Sequence, residues 1–252
     1  MDLQLKGKRA IVTGGSRGIG KVIARQFAQE GVDVVIAARN KEPLRAAAAE
    51  IAAETGRRVI PLAADTGDER SVNALVAAAI AELGGVDILV NNAAIPGGIS
   101  PATSLEQIVD QEVLDDINIK VVGYLRTARA LAPHLIKNGW GRIINIGGLA
   151  IHRTGRPVAT LRNVGVAAIT KNLADELGPK GINVIAVHPG ATRTERTDPK
   201  TERELAAPVS IGRIVDASEV AYVVTFLASP RSVAINGDAI AVGGGSRGTI
   251  HY

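Results

Sequence analysis

The sequence predicts an α/β protein built on a single doubly wound parallel sheet, and three observations carry that expectation. Short apolar runs alternate with Ala-rich amphipathic stretches, the order strand, helix, strand, helix that generates parallel neighbours. Hydrophobic residues fill 46% of the 252 positions but aromatic ones only 2%, a core of Val, Ile, Leu and Ala suited to buried strands covered by helices. A glycine-rich segment separates the first apolar run from the first helical pattern, and no linker or low-complexity tract divides the rest of the chain.

Residues 9–13 (Arg-Ala-Ile-Val-Thr) form the first expected strand, and Thr13-Gly14-Gly15-Ser16-Arg17-Gly18-Ile19-Gly20 leads into a helix over 21–30. Glycines 14, 18 and 20 let the backbone turn tightly and approach a pyrophosphate, whose charge meets the N–H groups and dipole at the helix start. Further strands are expected at 32–38, 59–63, 88–91, 142–146, 183–188 and 239–242, with helices such as 43–54, 72–83 and 164–177 between them. Right-handed crossovers then place helices on both faces of one sheet. Residues 192–210, polar and charged with Pro199 and Pro208, are either a lid over the site or a surface loop, and the lid is favoured because they come directly after a strand's carboxyl end. The lone Trp140 comes after Asn138-Gly139 in an expected turn, as a packing residue.

Composition also excludes. Without cysteine there is no disulfide framework and no thiolate metal site or nucleophile. The 29 basic and 25 acidic residues are interspersed, with neither a basic run nor interleaved aromatics, so the net charge of +4 does not mark a nucleic-acid groove. No apolar run approaches the ~20 residues that span a bilayer, and the charged, Gly-rich start does not read as a signal peptide. A soluble cytoplasmic protein acting on a small molecule is the expectation.

Several motifs in order extend the pattern: Thr-Gly-x-x-x-Gly-x-Gly at 13–20, Asp65-Thr66 after the third strand, Asn91-Asn92-Ala93-Ala94 after the fourth, Pro189-Gly190 after the sixth, and Gly243-Gly244-Gly245 near the end. Together these resemble the short-chain dehydrogenase/reductase family over nearly the whole chain. The resemblance implies a Rossmann-like sheet, a nicotinamide dinucleotide and commonly a homotetramer. It places the cofactor against Gly14, Ser16, Gly18, Ile19 and Gly20 of the loop, against Asp65, Thr66, Asn92 and Ala93 at strand ends, and against Asn163, Pro189, Gly190, Thr192 and Thr194. The second strand ends Ala37-Ala38-Arg39-Asn40 with no carboxylate for the ribose hydroxyls of NAD, Asp33 lying at its other end. Arg39 with Arg17 supplies positive charge for a 2′-phosphate, so NADP is expected, without excluding NAD.

The family's chemistry rests on a Ser, a Tyr that exchanges the proton, a Lys four residues later, and an Asn. Alignment on the fifth strand puts Gly148 at the Ser; alignment on residues 164–177 puts Ala159 at the Tyr and Asn163 at the Lys; the Asn corresponds to Asn118. From Leu125 to Ala221 there is no tyrosine, and from Gly148 to Pro189 the only lysines are Lys171 and Lys180, so no register restores the pair. His152, a possible acid near neutral pH, and Arg162, one position or ~100° of helix from the Lys face, are the candidate replacements beside Asn118. A tail residue, His251 or Tyr252, could also act across a subunit interface. Two functions are open: an oxidoreductase of a small carbonyl or alcohol with an atypical active site, or a cofactor-binding protein without redox turnover, regulatory, structural or non-redox.

Overall fold

The computed structural model describes residues 1–95 and 98–247. The strands are β1 (Arg9–Thr13), β2 (Asp33–Ala38), β3 (Val59–Ala63), β4 (Ile88–Asn91), β5 (Gly141–Ile146), β6 (Ile182–Pro189), β7 (Thr192–Arg193), β8 (Val215–Asp216) and β9 (Ala239–Val242). The helices are α1 (Gly18–Gln29), α2 (Lys41–Thr55), α3 (Glu69–Leu83), α4 (Asp110–Ile117), α5 (Gly123–Asn138), α6 (Pro157–Leu177), α7 (Pro199–Ala206) and α8 (Ala217–Ala228). All but β7 and β8 join one parallel sheet in the order β3-β2-β1-β4-β5-β6-β9.

Alternation along each strand builds two apolar layers from one sheet. Val12, Val34 and Ile36 face one layer with Ile23 and Phe27 of α1 and Val220 and Val224 of α8. Their neighbours Ile11 and Val35 face the other, with Leu75 and Val76 of α3 and Leu131 and Leu135 of α5. Each such side chain, fully buried, contributes about 1.5–3 kcal/mol relative to exposure. That is why β1 and β2 read as apolar runs through their middles: an unpaired polar residue on either face there would be stranded in a core.

The chain runs outward from β1 to β3, then returns to pair β4 with β1 on the opposite side. Loops leaving the carboxyl ends of β1 and β4 therefore diverge, and a crevice opens between them. The segment expected as a lid is more than a loop. Residues 192–210 contain β7 and α7; Asp198 accepts from Lys200 N and Thr201 N at the start of α7, and β7 pairs with β8, adding an Arg193–Asp216 ion pair of 3.1 Å. Ser210 N and Ile211 N donate to Gly245 O and Gly244 O, tying the segment to the turn after β9. Trp140 packs as expected, half-buried, with the Lys8 ammonium 4.0 Å and the Arg142 guanidinium 4.7 Å from its ring centre. His251 and Tyr252 lie outside the described residues.

Candidate functional site

The glycine loop is drawn under the sheet edge by backbone bonds, since Gly14 N and Gly15 N both donate to Ala37 O at 2.7 and 3.2 Å. Gly14 adopts φ +67°, and a Cβ at Gly20 would stand 2.3 Å from Gly14 O, so neither position admits a side chain without moving backbone. Gly20 thus shapes the loop from behind rather than lining the cleft. Asn92 fastens the loop to β4: its Nδ2 donates to Thr13 O and Gly14 O, while Thr13 Oγ1 accepts from Asn92 N and Ala93 N at 3.0 and 3.1 Å.

A cleft of about 500 Å3 runs along this carboxyl edge. Gly14, Ser16, Arg17, Gly18 and Ile19 form one wall, Arg39 and Asn40 its outer end, and Asp65, Thr66, Asn92 and Ala93 its floor; Pro189, Gly190, Thr192 and Thr194 close it from β6. At the first turn of α1, Gly18 N donates to both carboxylate oxygens of Glu195 at 3.1 and 3.3 Å. An anion thus already rests where the helix N–H groups and dipole favour one. Arg17 and Arg39 are exposed and make no ion pair among the described residues. Asp33 is spent at the far end of β2 on Arg57, 2.7 Å away. Asp65 turns Oδ1 to Gly67 N at 2.9 Å.

The inner end of the cleft is cationic. Arg162 lines it, buried, with Nη1 2.9 Å from Asp116 Oδ1 and also donating to Ile95 O. Asn163 is buried but lies outside the lining, and its amide is committed: Nδ2 donates to Ala159 O at 2.7 Å, and Oδ1 accepts from the Lys120 ammonium at 2.9 Å. Lys120 was not among the residues expected from the sequence. It is 5% exposed, lines the cleft, and donates its second bond to Gly147 O at 2.9 Å. Burial is the largest cause that lowers its ammonium to about 7; Arg162 lowers it further and Asp116 opposes. Its signal in the sequence is a lone Lys among Ile119, Val121 and Val122, far from the motif stretch between Gly148 and Pro189 where the family keeps its lysine.

The other expected catalytic groups are placed elsewhere. Asn118 turns its amide away from the cleft, Nδ2 to Gly67 O and Oδ1 to Arg126 Nη2 at 2.7 Å, because it opens a π-helical turn, Asn118–Val122, between α4 and α5. His152 is exposed in a 3-10 turn, Leu149–His152, and does not line the cleft. His188 is buried beneath Gly147, where a Cβ would fall 2.1 Å from its Nδ1. That Nδ1 accepts from Gly148 N at 2.9 Å, and burial first, then Lys120 and His152, push the imidazole down to about 4. Tyr124 is no surrogate acid: it is buried, donates to Ile146 O at 3.0 Å, and burial raises its hydroxyl.

A parallel sheet whose strand order reverses between β1 and β4, with a glycine loop and an anion-receptive helix start in the crevice, defines a doubly wound α/β protein of the dinucleotide-site type. The short chain dehydrogenase family profile matches residues 8–205, and the chain belongs to that family. It is 35% identical over 248 residues to a 3-oxoacyl-(acyl-carrier-protein) reductase of Vibrio harveyi, covering 96% of this chain and 98% of that protein. L-sorbose reductase of Gluconobacter frateurii, solved with NADPH and L-sorbose, superposes with a TM-score of 0.91 at 29% identity, over 99% of this chain and 100% of that one. A 3-ketoacyl-(acyl-carrier-protein) reductase of Brucella melitensis, solved with NADH, gives 0.87 at 34% identity over 96% and 99%.

Proposed function

We propose that this chain is an NADPH-dependent reductase of a small carbonyl compound, with a proton donor other than the tyrosine and lysine of its family's motif. The observation that carries the cofactor choice is the pair Arg17, at the start of α1, and Arg39, just after a strand β2 that ends without a carboxylate, guanidiniums without an ion-pair partner among the described residues. The groups present fit the dinucleotide: the start of α1 already holds a carboxylate, and Gly14 and Gly20 let the loop close tightly on itself and on Asn92 beneath the wall a pyrophosphate would meet. When bound, NADPH supplies two electrons and a hydrogen to a carbonyl carbon at the cleft's inner end. Gly190 and Thr192 line the cleft after β6, while Lys120 and Arg162 face the oxygen that gains charge.

The relatives solved or named as reductases of 3-oxoacyl groups and of a ketose support the carbonyl class. The second reading, a cofactor-binding subunit without turnover, is favoured by Gly148, Ala159 and Asn163, which bring no acid to the motif positions. Fluorescence titration with NADPH and NADH, then a panel of ketones, ketoacids and ketoses, decides between them: binding with turnover supports the reductase, and tight binding without turnover by any member supports the subunit. We also propose a homo-oligomer, a tetramer as in the family, because α4 and α6 leave Leu114, Leu161 and Val164 exposed. Light scattering of the purified protein tests it, and a monomer refutes it.

A further inference from the structure

We propose that the Lys120 ammonium is the proton donor of this reductase, a role moved from the helix that carries the family's motif to the π-helical turn between α4 and α5. The proposal rests on the reductase reading and on the geometry around one amine.

The π-helical turn sets the direction. One extra residue in the turn re-aims the side chains beyond it. Gly165 of α6 admits the turn closely: a Cβ there would lie 3.0 Å from Val121 Cγ2. That contact seats the turn against α6 two residues from Asn163, and Lys120 reaches between α6 and the end of β5. The motif position that would carry a lysine in the family holds Asn163 here. Its Oδ1 receives the Lys120 ammonium, so the cation is present in the site but approaches from the facing element.

The hydrogen-bond count suits proton transfer. An ammonium has three N–H donors. Two are held by Gly147 O and Asn163 Oδ1, and the third is left for an oxygen in the cleft that Lys120 lines. When that third proton leaves, the neutral amine keeps both protein acceptors satisfied, so neither protonation state strands a donor. Charged and titratable groups surround the amine: the ions Asp116 on α4 and Arg162 on α6, the neutral His188 on β6 and, behind that imidazole, His152 on the 3-10 turn. Among these only Asp116 stabilises the charge. Burial and Arg162 outweigh it, which brings the ammonium near neutrality, where a general acid works best.

In the step, the carbonyl carbon gains a hydrogen with its electron pair from NADPH while the C=O π pair moves to oxygen. That oxygen takes the third proton of Lys120, giving the alcohol, NADP+ and a neutral amine, which solvent reprotonates through the open cleft. Arg162 can stabilise the developing oxyanion but cannot deliver a proton, because a guanidinium does not deprotonate in this range.

The test uses full-length protein with selectively 13C-labelled lysine, wild type alongside Lys120→Met and Lys120→Arg, with NADPH titration as the fold check on each. One ε-carbon is expected to titrate near neutrality, well below the ordinary lysine value of about 10.4, and to vanish in Lys120→Met. Carbonyl reduction by the wild type should fall as pH rises through that midpoint, about tenfold per unit, because the acid form is the reactive one. Both variants should bind NADPH and lose roughly 10²- to 10⁴-fold in kcat. A Lys120 that titrates with the other lysines overturns the proposal, as does full rescue by Lys120→Arg, which keeps charge without a transferable proton. Turnover that survives Lys120→Met overturns the donor role alone; a wild type that binds NADPH and reduces no member of the panel overturns the reductase reading and the donor role with it.

Discussion

Asp116→Ala probes a deeply buried ion pair. Asp116 Oδ1 lies 2.9 Å from Arg162 Nη1, with side-chain exposures of 2% and 8%, and Oδ2 accepts a long bond from Ile99 N at 3.4 Å. Arg162 Nε has no hydrogen-bond partner among the described residues. Truncating Asp116 leaves a guanidinium in a low-dielectric setting with Ile95 O as its remaining acceptor there. Breaking one side of such a pair costs about 3–5 kcal/mol, because the other charge stays buried. For a chain of this size each kcal/mol moves Tm by about 2–4 °C, so the variant should melt roughly 6–20 °C lower. Differential scanning calorimetry measures it, with guanidinium denaturation for the free energy. The paired variant Asp116→Ala, Arg162→Met should recover much of the loss, since it removes the stranded charge and keeps most of the volume. A single variant within about 1 kcal/mol of wild type would refute the reasoning, because that is the value of an exposed pair.

The remaining predictions concern groups along the same edge. Arg39→Ala should weaken NADPH by roughly 10- to 100-fold, the value of a lost charge-assisted bond, while leaving NADH unchanged; equal losses for both would remove the 2′-phosphate assignment. Glu195→Gln should tighten NADPH severalfold in fluorescence titration, because the carboxylate on Gly18 N competes with an incoming phosphate; weaker binding would mean that Glu195 instead orders the cleft wall. His188 stays neutral in the fold down to about 4, while the unfolded imidazole takes its proton near 6.5. The unfolded state then binds the extra proton, so stability should fall as pH drops from about 6.5 towards 4, by up to ~3 kcal/mol. Urea melts of wild type and His188→Asn should show this slope shrinking in the variant, and parallel curves would exclude His188 as its source.

The sheet and the phosphate end of the cleft were legible in the chain because their causes are local. Apolar runs set β1 to β6 and β9 nearly to the residue: the inner strands β1, β2, β4, β5 and β6 are buried along most of their length and so are built largely of Val, Ile, Leu and Ala, and the edge strands β3 and β9 keep the same runs. The glycine loop was readable because its spacing is the steric requirement itself, as the Cβ distances at Gly14 and Gly20 show. Arg17 and Arg39 could be placed because they come after a strand end and a turn. The short helix α7 was hidden within residues 192–210 because its low apolar content left no stripe to read, although Asp198-Pro199 marked its start.

The inner end belonged to the tertiary structure. Lys120 stands more than forty positions before Asn163, and only the π-helical turn and Gly165 bring them within a hydrogen bond. The same turn sends Asn118 away from the cleft, an orientation that no local pattern around it indicates. Arg162 read as one residue off the helix face that carries the motif, yet Asp116 draws it into the lining. What a sequence determines alone is what backbone sterics and burial impose on neighbours in the chain; which charged side chain reaches a given point in a cleft depends on how separate helices pack.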